Sequence, residues 1–174
     1  MEVVMNPASS CQEQLDFLIT QYEKDLIGMC YAYLRDISLA EDAAQETFIK
    51  AYKNMNAFRG DSSVKTWLMR IAINECKRIR KNAWYRYVDR HVSIDQVCLT
   101  TPLRPPSIED IQLTSEIMSL PRRQMEVILL HYYQEMDVQE ISVALAITTQ
   151  AVYLRLKKAR AKLKHAIEGG IDDE

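Results

Sequence analysis

The stretch DVQEISVALAITTQAVYLRLKKAR, residues 137–160, decides the fold of this chain. Asp137 followed by Glu140 predicts the capped start of a short helix. Ala146-Ile147 then turns the chain, and Thr148 is placed to cap a longer helix. Two helices joined by so short a turn are typical of a helix-turn-helix motif.

Apolar side chains inside this stretch are spaced to lock the two helices together: Ile141, Leu145, Ile147, Val152 and Leu156. That packing leaves a second set free to face outward: Thr149, Gln150, Tyr153, Leu154, Lys157, Lys158 and Arg160. Lys and Arg engage phosphates, while Gln and Lys also bond base edges in a major groove. The pattern therefore favours a DNA-reading helix, and a helical hairpin with a solvated basic face is the alternative.

Ala146 stands where such turns usually carry glycine. A non-glycine residue held at positive φ costs roughly 1 kcal/mol. We therefore expect either a turn that avoids this conformation or a domain that accepts the strain.

A second informative stretch lies upstream, FRGDSSVKTWLMRIAIN, residues 58–74. A short polar loop with one glycine runs into a basic helix that we expect over residues 63–88. Unstacked nucleic-acid bases need a pocket with aromatic or apolar walls and a positive rim. Trp67 is a candidate for such a wall, and a plain core position is the alternative, because Trp67 lies on the apolar stripe.

The net charge of −2 conceals five blocks of alternating sign. Residues 59–90 carry net +6 and residues 149–167 also carry net +6, while the remaining blocks are acidic. The two basic blocks coincide with the two stretches quoted above. That coincidence is the electrostatic footprint expected where phosphates are neutralised, and two solvated helix faces are the alternative.

Composition and spacing predict an all-α fold of two small helical domains. The 174 residues include only 4 Gly and 5 Pro, and 48% are hydrophobic, which is enough for real cores. We expect domains at residues 11–90 and 107–168, joined by a proline-bearing linker at residues 91–106.

Within the first domain, helical spacing predicts helices over residues 12–34 and 38–53. Ser38 and Glu41 form a candidate capping box for the second of these. Ala40, Ala43-Ala44, Thr47-Phe48 and Ala51-Tyr52 are predicted on its inner side. In the second domain we expect a helix capped by Ser107 and another running from Pro121 to about Gln134.

Other classes of protein find little support. No apolar run approaches the ~20 residues that span a bilayer, and the N-terminal residues do not read as a signal peptide, so we expect a cytoplasmic protein. The cysteines and histidines lack ligand spacing, which predicts reduced thiols and neither a metal nor another cofactor. No carboxylate pair, activated nucleophile or phosphate-cradling loop is evident, so an enzyme is the least expected class.

These stretches, in this order, resemble bacterial sigma factors of the extracytoplasmic-function group in the sigma-70 family, over residues 12–167. AEDAAQETF, residues 40–48, looks like the polymerase-binding helix of region 2, and residues 58–74 look like its −10 element. Residues 120–160 look like region 4, the −35 domain.

The resemblance implies a role for each motif. Asp42, Gln45, Glu46 and Phe48 would dock on the β′ coiled coil of core RNA polymerase; an exposed acidic face is the alternative. Melted −10 DNA would meet Arg59, Gly60, Asp61, Ser62, Ser63, Lys65, Trp67, Arg70, Asn74 and Lys77. The −35 duplex would meet the outward set of the last helix together with Arg155.

Further partners implied by the resemblance are the β flap of the polymerase and an anti-sigma factor, often a membrane-tethered one. The chain departs from the family at Tyr153 and Leu154, where Lys or Arg and then Ser are frequent, and at Val64, where an aromatic residue is usual. A stand-alone helix-turn-helix regulator and a sigma-like adaptor without promoter recognition remain the competing hypotheses.

Overall fold

The computed structural model describes residues 11–81 and 108–169, and these ranges contain helices and no strand. The chain divides into two compact units, one built from α1 to α3 and the other from α4, α5, α7 and most of α6. The predicted all-α fold is confirmed. The linker, the Ser107 cap and the extension of the third helix to Val88 lie outside the described residues, and the predicted domain boundaries stay predictions.

Between residues 11 and 81, the described part of the first unit contains three helices and one turn of 3₁₀ helix. Their bounds are α1 Cys11–Leu34, α2 Ile37–Asn54, the 3₁₀ turn Met55–Ala57 and α3 Val64–Lys81. Each pair among α1, α2 and α3 is in contact. The core combines large side chains from α1 and α3, such as Leu18, Leu26 and Leu68, with buried alanines of α2. Small residues on α2 let α1 and α3 approach it closely.

The junction between α1 and α2 differs from the prediction. Arg35 adopts φ 57° directly after α1, and its N–H donates to the Tyr31 carbonyl at 2.8 Å. Asp36 then caps α2, accepting from the N–H of Leu39 at 2.9 Å. The Ser38 capping box is therefore wrong: the helix begins at Ile37, and the Asp36 carboxylate caps it through the N–H of Leu39, whereas Ser38 was expected to accept from the N–H of Glu41.

One basic side chain of α3 forms a hydrogen bond that joins α3 to α1. The Nη1 of Arg80 donates to the Tyr33 carbonyl at 2.9 Å, across 47 residues of sequence. Tyr33 lies near the end of α1, where the last carbonyls of a helix have no partner within it. The contact fastens α3 to the end of α1.

Between residues 108 and 169, the described part of the second unit contains three whole helices, most of a fourth and a π turn. Their bounds are α4 Ile108–Ser119, α5 Arg122–Ile128, the π turn Leu129–Tyr133, α6 Val138–Leu145 and α7 Thr149–Gly169. Pro121 is the N-cap of α5, with φ −53° and ψ 134°, so the helix begins at Arg122, one residue after the predicted start. The predicted helix ending at Gln134 instead closes with the π turn, where the Gln134 N–H donates to the Leu129 carbonyl at 3.0 Å.

The core of the second unit lies where α5 packs against α7, with α4 against both. Val127 and Leu130 contribute from α5 and the π turn, and Val152, Leu156 and Ala159 contribute from one face of α7. The opposite face of α7 stays exposed, because its residues fall between these buried positions in the 3.6-residue period.

Cys11, Cys30 and Cys76 are free thiols, which agrees with the prediction of reduced cysteines for the described positions. A hydrogen bond with Cys30, together with burial, raises the pKa of the Cys76 thiol. The Cys76 side chain therefore stays protonated and packs as a small apolar group.

Candidate nucleic-acid interface

The loop before α3 brings a glycine turn and a helix cap together. Gly60 adopts φ 74°, a conformation that a side chain would strain, and is exposed. The Ser63 hydroxyl accepts from the Thr66 N–H at 3.1 Å and so caps α3. Ser63, predicted to contact DNA, therefore also starts the helix that carries the other predicted contacts.

Trp67 is neither fully buried nor fully exposed. Its ring lies 4.9 Å from the ring of Phe58, centroid to centroid, at an interplanar angle of 39°. Trp67 is therefore not a plain core position, because the indole packs against Phe58 and also lines an open cleft; its role as a wall for an unstacked base stays a prediction.

That cleft has a volume of about 390 Å³ and lies between the C-terminal end of α2 and one face of α3. Its lining residues are Lys50, Asn54, Ala57, Trp67, Ile71, Asn74 and Glu75. Two amides and an ammonium alternate with the indole and aliphatic groups. This combination of an aromatic wall and hydrogen-bonding groups suits an unstacked base.

The predicted −10 residues differ in exposure, and two of them line the cleft. Trp67 and Asn74 line the cleft. The exposed positions are Arg59, Gly60, Asp61, Arg70 and Asn74, and the partly exposed ones are Ser62, Ser63, Lys65, Trp67 and Lys77. Among the cleft residues, Lys50, Asn54 and Glu75 were not predicted, because only the packing of α2 on α3 reveals that these positions share one cavity.

Glu75 is the most deeply buried charged residue of the cleft, at 3% exposure. Its Oε1 accepts from the Nζ of Lys50, and its Oε2 accepts from the Nε of Arg78 at 2.8 Å. Burial raises the pKa of Glu75, but the hydrogen bonds and charges of Lys50 and Arg78 outweigh burial, and the net pKa lies below its ordinary value. Glu75 is therefore an ionised carboxylate inside a network of two cations.

The outer face of α2 carries the predicted polymerase contacts. Asp42, Gln45 and Glu46 are all exposed. Phe48 is only 6% exposed and packs into the core, which confirms its predicted place on the inner side of α2 and leaves little of its ring for docking.

The same face contains two exposed apolar side chains that were not predicted there. Ile49 is 37% exposed and Tyr52 is 44% exposed. Tyr52 was predicted on the inner side of α2, which is wrong, whereas Ala51 beside it is buried as expected. Ile49 follows Asp42 by seven residues, two helical turns, which was the available signal for its place on this face.

The helix-turn-helix forms as predicted. Asp137 Oδ1 accepts from the Glu140 N–H at 2.8 Å, and Glu140 Oε2 accepts from the Asp137 N–H at 3.0 Å, which is a reciprocal capping box. Thr148 Oγ1 accepts from the Ala151 N–H at 3.2 Å. Ala146 adopts φ 54°, so the turn accepts the strain that a glycine would avoid. Its neighbour Ile147 donates to the Ser142 carbonyl at 3.0 Å.

The residues predicted to lock the motif are buried, apart from Ile147, which is partly exposed. The predicted outward set is placed as expected. Tyr153 is 63% exposed and Leu154 is 54% exposed. Gln150, Lys157, Lys158 and Arg160 are also exposed, and Thr149 is partly exposed.

Two arginines of α7 are engaged within the second unit. The Nη1 of Arg155 lies 3.7 Å from Oε2 of the buried Glu126 on α5. The Nε of Arg160 donates to the Tyr132 hydroxyl at 2.8 Å, and its guanidinium carbon lies 5.6 Å from the Tyr132 ring centroid. Arg155 is thus partly committed to the core, whereas Arg160 is held on the surface.

Within the described residues, no helix is long and apolar enough to cross a membrane. The same ranges hold no group of three or more His, Cys, Asp or Glu side chains placed to bind a metal ion.

Solved structures with a similar fold include the sigma factor RpoE of Bartonella quintana, determined in complex with the anti-sigma factor NepR. The TM-score is 0.71 at 20% identity, covering 93% of this chain and 99% of that chain. CnrH, determined in complex with the cytosolic domain of CnrY, gives a TM-score of 0.67 at 22% identity, covering 91% of this chain and 90% of that chain.

Sequence comparison gives two family matches, Sigma-70 region 2 over residues 18–85 and Sigma-70, region 4 over residues 110–163. The chain is similar to the RNA polymerase sigma-H factor of Pseudomonas aeruginosa, with 28% identity across 88% of this chain and 86% of that protein. It is also similar to the ECF RNA polymerase sigma factor SigW of Bacillus subtilis, with 30% identity across 88% of each. The chain therefore belongs to the extracytoplasmic-function group of sigma-70 factors, the promoter-recognising subunits of bacterial RNA polymerase.

Proposed function

We propose that this sigma factor binds core RNA polymerase through the outer face of α2, captures an unstacked −10 base in the cleft between α2 and α3, and reads the −35 duplex with α7. The observation that carries the proposal is the cleft. The indole of Trp67 and the amide of Asn74 both line it, and the same indole packs against Phe58 at the start of the loop of residues 58–63. An aromatic wall with base-edge hydrogen-bonding groups is what a flipped base requires.

The outer face of α2 supports the polymerase contact. Exposed Asp42, Gln45 and Glu46 supply polar and acidic groups, and Ile49 adds apolar area beside them. Interfaces gain affinity from a small apolar centre and specificity from a charged rim. The expected partner surface is the β′ coiled coil.

The chain has no chemical step of its own in this proposal. Melting is driven by binding free energy, because a protein that binds unstacked bases better than paired ones shifts the equilibrium toward the open duplex. Extruding a base costs a few kcal/mol, and stacking on an aromatic ring returns about 1–3 kcal/mol.

We propose that α7 contacts the −35 duplex with the exposed basic residues Lys157, Lys158 and Arg160 on phosphates and with Gln150 on a base edge. Leu154 is positioned to meet a thymine methyl group. Large exposed apolar side chains on this helix, Tyr153 and Leu154, also favour the second candidate function, an adaptor that binds protein through α7.

The proposed partners follow from these faces and from the family. They are the β′ coiled coil and the β flap of core polymerase, promoter DNA, and an anti-sigma factor, with a membrane-tethered one as the form to search for first. Such an inhibitor would cover the exposed apolar residues of α2. The proposed location is the cytoplasm, where bacterial RNA polymerase works.

A reconstitution tests the proposal. The purified chain is mixed with bacterial core polymerase free of other sigma factors, and the transcripts initiated on fragmented host DNA are sequenced. Discrete start sites with a shared −35 and −10 pair are the expected result. Polymerase binding without initiation on host DNA would favour the adaptor, and DNA binding without polymerase binding would favour a stand-alone regulator.

A further inference from the structure

Glu75 has an unusual place for a carboxylate. It lines the cleft, yet its side chain is only 4% exposed, and it joins α2 to α3 through the Lys50 ammonium. Its second oxygen is occupied by Arg78, whose side chain is 56% exposed and does not line the cleft. Lys50 therefore pairs with the carboxylate on the cleft side, and Arg78 pairs with it on the solvent side. Each partner can be removed separately by substitution.

An ionised group so deeply buried requires a charged hydrogen-bonding partner. A lysine side chain has many rotamers, so an unpaired Lys50 would sample many positions. Pairing with the fixed carboxylate removes most of that freedom. Lys50 itself lies one turn before Asn54, whose amide donates to the Lys50 carbonyl at 2.8 Å, so both polar groups come from one face of α2.

An ammonium has three donor hydrogens. One serves Glu75, which leaves two for acceptors that enter the cleft. The carboxylate is shared between Lys50 and Arg78, so the cluster keeps a net positive charge, and the two remaining N–H donors of Lys50 can meet the acceptor edge of a base.

We propose that Glu75 is a positioning residue that holds the Lys50 ammonium on the cleft wall as a hydrogen-bond donor to a base carbonyl. This inference rests on the proposed function and adds a selectivity to it. Guanine, cytosine and thymine carry carbonyl oxygens, whereas adenine offers an ammonium only ring nitrogens and places an amino donor where guanine and thymine carry a carbonyl oxygen. We therefore expect the cleft to disfavour adenine.

The test uses the holoenzyme formed with core polymerase and forked promoter probes whose non-template −10 strand is single-stranded. Each −10 position carries each of the four bases in turn, and dissociation constants are measured by competition. The wild-type holoenzyme should disfavour adenine at one position by at least about fivefold, the lower end for a specific base contact. Glu75→Gln, which keeps the shape and removes the charge, should reduce that ratio to below about twofold, and Lys50→Met should do the same.

Arg78→Gln is the matched control, because it removes the other partner of the same carboxylate outside the cleft. It should keep the wild-type ratio, whatever its effect on overall affinity. Circular dichroism and thermal unfolding establish that each variant folds. If Glu75→Gln does not fold, the Lys50→Met variant decides.

If folded Glu75→Gln or Lys50→Met keeps the wild-type discrimination against adenine, this inference is overturned and the proposed function is not. Loss of the ratio in Arg78→Gln as well would also overturn it, since the effect would then follow the stability of α3 and not the cleft. A wild-type holoenzyme that binds none of the melted probes would overturn the proposed function and this inference with it.

Discussion

The hydroxyl of Tyr132 accepts a hydrogen bond from the Nε of Arg160 at 2.8 Å, which ties the π turn after α5 to the exposed face of α7. The tyrosine ring also lies under the guanidinium, 5.6 Å from ring centroid to the guanidinium carbon. His131 packs edge-on against the same ring, with centroids 4.8 Å apart. A π turn is therefore used here to present a tyrosine that orients a basic side chain of the proposed −35 reader.

Arg160→Ala should weaken binding of a −35 duplex and lower the slope of log K against log salt by about 1, because one phosphate contact is lost. Tyr132→Phe should weaken binding by less and leave the slope unchanged, since the charge remains but its hydrogen bond does not. Fluorescence anisotropy at several salt concentrations measures both. Equal affinities for wild type and Tyr132→Phe would show that Tyr132 does not position Arg160.

Arg70→Ala should impair promoter melting and leave binding to core polymerase intact. Arg70 is exposed on α3, on the unit that carries the cleft, and it is proposed to hold a phosphate of the non-template strand. Permanganate footprinting of the open complex measures promoter melting. Size-exclusion chromatography of the holoenzyme measures binding to core polymerase. Lys24→Ala, an exposed charge on α1, is the control. Normal melting by Arg70→Ala would remove this role from Arg70.

Asp42→Arg should reduce affinity for core polymerase at least about tenfold, because it reverses a charge on the exposed face of α2 without touching the core. Glu23→Arg makes the same change at an exposed position on α1 and should have a much smaller effect. Competition against a second sigma factor for the polymerase measures both. Similar losses for the two variants would indicate a general charge effect, not a docking face.

Ala146→Gly should stabilise the protein by about 0.5–1 kcal/mol, because glycine relieves the cost of φ 54° and loses part of the gain through its more flexible unfolded chain. Urea unfolding gives the free energy of unfolding. Ala161→Gly, at an exposed position in the interior of α7, should instead destabilise by about 1 kcal/mol. Destabilisation by both glycines would mean that the strain at Ala146 is negligible.

The stability of the first unit should depend on the ionisation of Glu75. The folded-state pKa of Glu75 lies below its ordinary value of 4.5, so its contribution is present above that pH and is lost as the pH falls through the folded-state pKa. Glu75→Gln should lower the free energy of unfolding at pH 7 and flatten its decline on acidification. Urea midpoints of both proteins at pH 7 and pH 4 measure this, and parallel declines would contradict the assignment.

Much of the fold was predictable, because helix periods and caps are local properties of the chain. The Asp137 and Glu140 capping box and the Thr148 cap need only residues three apart. The start of α2 was wrongly predicted at Ser38, and the reason is also local. Asp36 and Ser38 are both good caps, and the choice depended on Arg35 entering the left-handed region after α1.

The candidate site was only partly predictable. Trp67 and Asn74 were found because they belong to one continuous stretch of sequence. Lys50 and Glu75 were not, because they are 25 residues apart on different helices and meet only when α2 packs on α3. The inward position of Phe48 was predicted from the helical period, whereas the outward position of Tyr52 was not, because it depends on how α2 is rotated in the core.

The sequence by itself determined the helices, the helix-turn-helix and the two basic blocks, since periodicity, capping and charge are written in neighbouring residues. Tertiary structure alone decided which polar groups share the cleft, which arginines are held by Glu126 and Tyr132, and which carboxylate is buried. The physical reason is that electrostatic pairing depends on distance and burial, and the packing of separate helices sets both.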